Sequence, residues 1–237
     1  GTIHGNGSAP AFKVQSDVAF WTQSSHRHYC IYMIGCTQID IADVHIRESA
    51  FWLQNYIECQ KLRFTNVDIY NHGNHNNDGM DLNNCRDVII SGCRIDSSDD
   101  ALCIKSMTEN INENITITNC ILKSHYNGIK LGTETRGGLR NLTVSNCVIT
   151  RSDCPRDDGK PSRGFAAIAL QSNDGALVEN ITIGNCVLEG WRAPLFIRLQ
   201  QRLRRFSETM PPKEAGYMRR IRIHDCIGSD FTTLSSS

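Results

Sequence analysis

The sequence predicts an all-β chain wound as a single-stranded, right-handed parallel β-helix, a solenoid of about seven to eight coils. Three observations predict it. A short pattern recurs seven times along the chain. Apolar and polar residues alternate inside each copy, and a second family of short apolar segments recurs between copies with no helical period.

The pattern is Ile-x-Ile-x-Asn-Cys-x-Ile. Its clearest copies are Ile115-Thr-Ile-Thr-Asn-Cys120-Ile-Leu122, Leu142-Thr-Val-Ser-Asn-Cys147-Val-Ile149 and Ile181-Thr-Ile-Gly-Asn-Cys186-Val-Leu188. Weaker copies begin at Ile39, Leu62, Val88 and Ile221, so successive starts are 23, 26, 27, 27, 39 and 40 residues apart. Those intervals fit one solenoid coil, with loops inserted into the last two. Alternation within each copy predicts strands buried on one face.

The second family comprises Gly79–Leu82, Ala101–Ile104, Gly128–Leu131, Ala167–Leu170 and Phe196–Leu199. Two strand families per coil with short connections predict a β-helix and exclude βαβ units. The whole chain, 1–237, reads as one such domain. Gly1 to Gly7 reads as a strand and turn already in progress, so the first coils or their cap are expected to lie before it. The serine-rich end, Thr232 to Ser237, reads as frayed.

Stacking the copies produces columns. Val44, Val67, Cys93, Cys120, Cys147, Cys186 and Cys226 share one, and Cys36, Cys59 and Cys85 share another. Eight of the 11 cysteines therefore read as small buried hydrophobes and not as disulfide partners. Cys30, Cys103 and Cys154 fit no column that decides them. Asn66, Asn119, Asn146 and Asn185, with Asp43 and Asp225, read as a side-chain ladder at a tight bend. Asn114, Asn141 and Asn180 satisfy the N-glycosylation rule, but the repeat itself demands Asn-x-Thr there.

Lys plus Arg equals Asp plus Glu, at 25 each, so no charge excess points to nucleic acid. No apolar run is long enough for a transmembrane helix, and membrane is not an expected partner. There is no CxxC and no zinc-ligand spacing, so neither metal nor cofactor is expected. Oligomeric state is not legible.

The chemistry centres on three acids. Asp78 stands just before one strand of the second family, Asp100 occupies the same column a coil later, and Asp99 is beside it. Neighbouring coils lie about 4.8 Å apart, which clusters the three carboxylates on one outer face. Such clustering raises at least one carboxyl pKa while another stays ionised, as acid/base attack on a glycosidic bond requires.

Asn76-Asn-Asp78-Gly79 is similar to the Asn-x-Asp-Gly motif, and Asp99-Asp100 followed by Ala-Leu-Cys-Ile-Lys-Ser resembles the Asp-Asp motif, of polygalacturonase-like glycoside hydrolases, family 28. Ser49-Ala-Phe-Trp52 and Gly1-Thr-Ile-His-Gly-Asn-Gly7 resemble that family too. The resemblance implies hydrolysis with inversion of a pectic polysaccharide, Asp100 acting as general acid while Asp78 and Asp99 activate water. It also implies export, to a periplasm or the outside, and carboxyl groups about 6.5 to 9.5 Å apart around a water.

The departures are specific. The family's Gly-His-Gly histidine aligns with Asn127, and His125, two residues early, either swings into the site or is a turn histidine. The family's Arg-Ile-Lys motif aligns with Ala169-Leu-Gln171, so both cations expected on a galacturonate carboxylate are missing. Lys130 and Arg198 are expected in the same outward column, as partial replacements. Losing a planar guanidinium argues against plain polygalacturonate and for a rhamnogalacturonan-type or decorated glycan.

Asn76 and Asn127 remain substrate-binding candidates with His125, Lys130, Glu134, Arg198 and Arg202. Glu134 reads as a substrate contact or a turn carboxylate. Arg198 to Arg205 and the loop Arg151 to Arg163 are candidate walls of an anionic groove. Of Trp21, Trp52 and Trp191, Trp52 is expected to be buried and Trp191 exposed to sugar. Two other classes fit the sequence: a β-helix lyase or epimerase, and a non-catalytic carbohydrate-binding β-helix holding sugar hydroxyls or calcium with its aspartates.

Overall fold

A computed structural model describes residues 1–13, 26–155 and 164–232. Trp21, residues 156–163 of the Arg151 to Arg163 loop and residues 233–237 of the serine-rich end lie outside the described residues. After β1 (Thr2–His4) the chain makes seven turns of three strands each. The first turns are β2 (Ile31–Ile34), β3 (Thr37–Ala42) and β4 (His45–Arg47), then β5 (Gln54–Ile57), β6 (Gln60–Thr65) and β7 (Asp68–Asn71). Next come β8 (Met80–Asn83), β9 (Arg86–Ser91) and β10 (Arg94–Ser97), then β11 (Leu102–Ser106), β12 (Asn112–Thr118) and β13 (Ile121–Ser124). The last are β14 (Asn127–Thr135), β15 (Gly138–Ser145) and β16 (Val148–Arg151), β17 (Ala166–Ser172), β18 (Leu177–Gly184) and β19 (Val187–Glu189), and β20 (Ala193–Leu199), β21 (Tyr217–His224) and β22 (Ile227–Ser229).

Every third strand pairs in parallel with its counterpart, giving sheets of eight, seven and seven strands. The chain is a parallel β-helix. Each coil has three strands where the sequence suggests two, because the eight-residue pattern spans a corner. Ile115 to Thr118 closes β12, Asn119 and Cys120 turn the chain, and β13 begins at Ile121. No helix among the described residues is long and apolar enough to cross a membrane.

The corner explains its composition. Asp43, Asn66, Gly92, Asn119, Asn146, Asn185 and Asp225 all have φ between 50° and 66°. That left-handed region is tolerated by Gly and, through local hydrogen bonding, by Asn and Asp. Backbone conformation, not a continuous amide ladder, therefore sets this column, in which Asn66 Nδ2 donates to Asp43 Oδ1 at 3.2 Å. The continuous ladder lies elsewhere: Asn114 donates to Asp87, Asn141 to Asn114 and Asn180 to Asn141, at 2.8 to 2.9 Å. The asparagines of the apparent glycosylation signals are thus engaged in bonding coil to coil.

Inside, Met80, Leu102, Ile129 and Ile168 stack in one column, and Leu82, Ile104, Leu131 and Leu170 in a second. All eleven cysteines are free thiols. Cys120, Cys147 and Cys186 are buried after the corner, each Sγ donating to the carbonyl two residues back at 3.2 Å. This fills a narrow corner with a small apolar atom and satisfies its weak donor.

Candidate active site

The sheet of β2, β5, β8, β11, β14, β17 and β20 carries the chemistry on its outer face. Reading across it in register, Asn55, Asp81, Cys103, Lys130, Ala169 and Phe196 form one outward column. Arg198 pairs with Gln171, two residues from the column expected for it. It stands on an exposed stretch and does not line the cleft described next. Alternation fixes which face a residue takes but not which of two same-face positions it pairs with, so a two-residue slip is invisible in the pattern.

Over these strands lies a cleft of about 600 Å³, lined by Asp78, Asp99, Asp100, Asn76, Lys105, Lys130, Glu134 and Arg204 and walled by Tyr29, Tyr32, Phe51 and Trp52. The three aspartates are brought together as the stacking requires. Asp78 precedes β8 and Asp100 precedes β11, and the backbone N–H of Gly79 bonds the Asp100 carbonyl, so one coil spacing separates them. One carboxylate oxygen of each lies within 4.8 Å of the other. Asp100 accepts from Asn127 Nδ2 at 2.6 Å and from Lys130 Nζ at 2.7 Å. Asn76 Nδ2 approaches Asp99 Oδ2 at 3.5 Å, and Arg27 donates to Asn76 Oδ1 at 3.1 Å.

Burial dominates the electrostatics. It pushes the Asp78 carboxyl well above the carboxylate range, and the neighbouring carboxylates Asp81 and Asp99 add to this. Burial and then Asp100 push Asp99 up to about 6. Asp81, which sequence reasoning passed over, is fully buried beneath the cleft with neither carboxylate oxygen hydrogen-bonded. Burial raises it to about 7 against the opposing pull of Lys105, whose Nζ is 3.6 Å from Oδ1. Its alternation with Met80 and Leu82 gave the only available signal, an acid on the outward face two residues after Gly79.

Several candidates find other roles. His125 is buried away from the cleft, its Nε2 2.7 Å from the Cys154 carbonyl oxygen and its ring edge-on to His72. Arg202 does not line the cleft: its guanidinium grips buried Asp174 with Nε at 2.8 Å and Nη2 at 2.5 Å, and Nη2 also bonds the Thr133 carbonyl at 2.9 Å. Trp191 is fully buried with Nε1 on the Ile149 carbonyl, while Trp52 lines the cleft. The two tryptophans have exchanged the places expected of them: Trp191 packs inward beside Gly128 and Gly164.

Glu134 does line the cleft, and the strand bulges to put it there. Ile104 pairs with Leu131 but Ser106 pairs with Thr135, so β14 inserts two extra residues and lifts Gly132 to Glu134 outward. Glu134 accepts from Arg204 Nη1 at 2.8 Å and lies 3.6 Å from Lys105 Nζ. Burial opposes its charge, yet Lys105 and Arg204 win and hold it down at about 2. Lys105 also sits 4.5 Å from the Trp52 ring centroid. The sequence shows Arg204 only within the run Arg198 to Arg205 read as a groove wall, and Lys105 only within the segment after Asp99-Asp100, because neither is singled out until the fold aims it.

Asp78, Asp100 and the Cys103 thiol offer three ligand atoms within 4.8 Å. They suit a metal poorly. Lys130 already claims Asp100, and burial pushes the Cys103 thiol well above its ordinary pKa, against the thiolate a metal needs.

The family model of glycosyl hydrolases family 28 matches residues 1–198. No curated protein matches the sequence. Among solved structures, a hyperthermoactive exopolygalacturonase from Thermotoga maritima is 24% identical with a TM-score of 0.64, and the match covers 73% of this chain. A family 28 exopolygalacturonase from Yersinia enterocolitica is 14% identical with a TM-score of 0.72, covering 92% of this chain. The matches span 38% of the length of each of those two proteins.

Proposed function

The chain belongs to glycosyl hydrolases family 28, and from that premise we propose that it hydrolyses a glycosidic bond of a pectic polysaccharide in the cleft over β8, β11 and β14. The observation that carries the reading is the approach of Asp78 and Asp100 to within 4.8 Å, with Asp99 beside them in the same cleft. A water bonded to both would sit about 2.8 Å from each, which a gap of this size accommodates.

The geometry favours roles different from those the resemblance implies. Asp100 has both oxygens accepting, from an amide and an ammonium, which suits a base receiving the proton of that water. Asp78 orients the water. Asp99, raised to about 6, keeps its proton in mildly acidic solution and serves there as the acid that protonates the leaving oxygen. Inversion at the anomeric carbon follows from attack by a water across from the acid, and is part of the proposal.

For the substrate we propose a rhamnogalacturonan-type or otherwise decorated galacturonan. Ala169 and Gln171 supply no cation, and Lys130 is committed to Asp100. A secreted or periplasmic location accords with such a polymer. The test is reducing-end release from homogalacturonan, rhamnogalacturonan and neutral pectic side chains by the native protein, Asp99→Asn and Asp100→Asn. Cleavage of one polymer, abolished in both variants, supports the reading. Cleavage of none, or undiminished cleavage by the variants, removes it; unsaturated, ultraviolet-absorbing products would replace it with a lyase.

A further inference from the structure

The cations of the cleft are already answered. Lys130 is paired with Asp100, and Lys105 and Arg204 converge on Glu134, at 3.6 and 2.8 Å. A carboxylate of the protein therefore occupies the position that a sugar carboxylate would need in order to reach those two cations.

Its placement is built in. The two-residue bulge that raises Glu134 is pinned on its near side by Arg202 Nη2 and Asn173 Nδ2, both donating to the Thr133 carbonyl, at 2.9 and 3.1 Å. On its far side Thr135 N–H donates to buried Asp174 at 2.9 Å, and Asp174 in turn holds Arg202. Arg204 follows Arg202 by two residues, so the clamp that fixes the bulge also delivers the guanidinium to it. Glu134 is 19% exposed, held between its partners and not extended into solvent.

Building on the hydrolase reading of this cleft, we infer that Glu134 is a specificity-determining residue: it stands in for a uronate carboxylate at Lys105 and Arg204, so the sugar bound beside it is one without a carboxylate. A uronate there would bring its own charge against Glu134 and find both cations spent, a like-charge contact with no compensating partner. An uncharged residue meets no such penalty and has Trp52, which lies against Lys105, as apolar wall. This places the selection against homogalacturonan in one carboxylate of the protein.

The test reads binding apart from turnover. In an Asp99→Asn background, trigalacturonate and its methyl ester are titrated calorimetrically against Glu134, Glu134→Gln and the double variant Glu134→Gln/Arg204→Gln. With Glu134 present, the ester should bind at least about tenfold more tightly than the acid; Glu134→Gln should strengthen binding of the acid at least about tenfold, and the double variant should lose that gain. Equal binding of acid and ester with Glu134 present, or an unchanged ratio in Glu134→Gln, overturns the inference. If Glu134→Gln does not fold, Glu134→Ala must show the same gain. The same substitutions in the Asp99 protein, assayed on polymer, separate the two claims: a shifted binding ratio with no cleavage of any polymer defeats the hydrolase reading alone.

Discussion

Lys130, on the outer face of β14, reaches back across one coil and donates to Asp100 at 2.7 Å, with only 1% of the Asp100 side chain exposed. Burial works against the lysine's charge, but Asp100 and Cys103 hold its pKa above the ordinary value. Lys130→Met leaves a buried carboxylate with one amide donor. Breaking one partner of such a pair costs about 3–5 kcal/mol, so chemical denaturation should show a loss on that scale, with activity falling as well. A stability change near zero would show that Lys130 is not committed to Asp100.

The acid and the base are separable by leaving group. Asp99→Asn should lower kcat on the polymer by about 10²–10⁴, and a substrate with an activated aryl leaving group should recover most of it. Asp100→Asn should gain nothing from that substrate. Recovery in Asp100→Asn instead would restore the assignment of Asp100 as the acid.

Activity should fall as pH rises through about 6, where Asp99 loses its proton. The limb should be absent in the residual activity of Asp99→Asn. A profile whose basic limb is identical in the two proteins would assign the limb to another group.

Stability has two opposing dependences on pH. Glu134 is held at about 2 against an unfolded value of about 4.3, so its contribution is present above that value and lost as pH falls through about 2. Asp81 is raised to about 7, so its contribution is complete below an unfolded value of about 3.9 and lost as pH climbs through about 7. Asp81→Asn should therefore flatten the decline of Tm between about pH 4 and 7. An equally steep decline in the variant would assign it to other groups.

The corner column gives a backbone test. Asn146 has φ of 54°. Asn146→Gly should be nearly neutral, whereas Asn146→Val should cost about 1–2 kcal/mol, because a Cβ branch is forced into the left-handed region. Urea unfolding of both variants checks it, and equal costs would point to a side-chain bond as the source.

The sequence by itself determined the repeating coil, the cysteine columns, of which six members are buried while Cys36 and Cys226 are half-buried, and the meeting of Asp78, Asp99 and Asp100. A solenoid converts linear spacing directly into spatial adjacency, so residues one coil apart in the chain are neighbours in space. The corner asparagines were legible as a column, although their left-handed backbone, and the ladder through Asn114, Asn141 and Asn180, belong to geometry that spacing does not encode.

Only the tertiary structure decided which cations reach the cleft. Period-two alternation cannot distinguish Phe196 from Arg198 opposite Ala169, and the pairing of β17 with β20 chose Phe196. Nor does spacing forecast an insertion inside a strand, such as the bulge that carries Glu134 to Arg204. Arg202, Arg204, Trp52 and Trp191 lie in loops or at strand ends, outside the repeat, where a side chain's direction is set by what it packs against: Arg202 by buried Asp174, Trp191 by its bond to the Ile149 carbonyl. Those contacts join residues that the repeat does not relate, and only the folded chain brings them together.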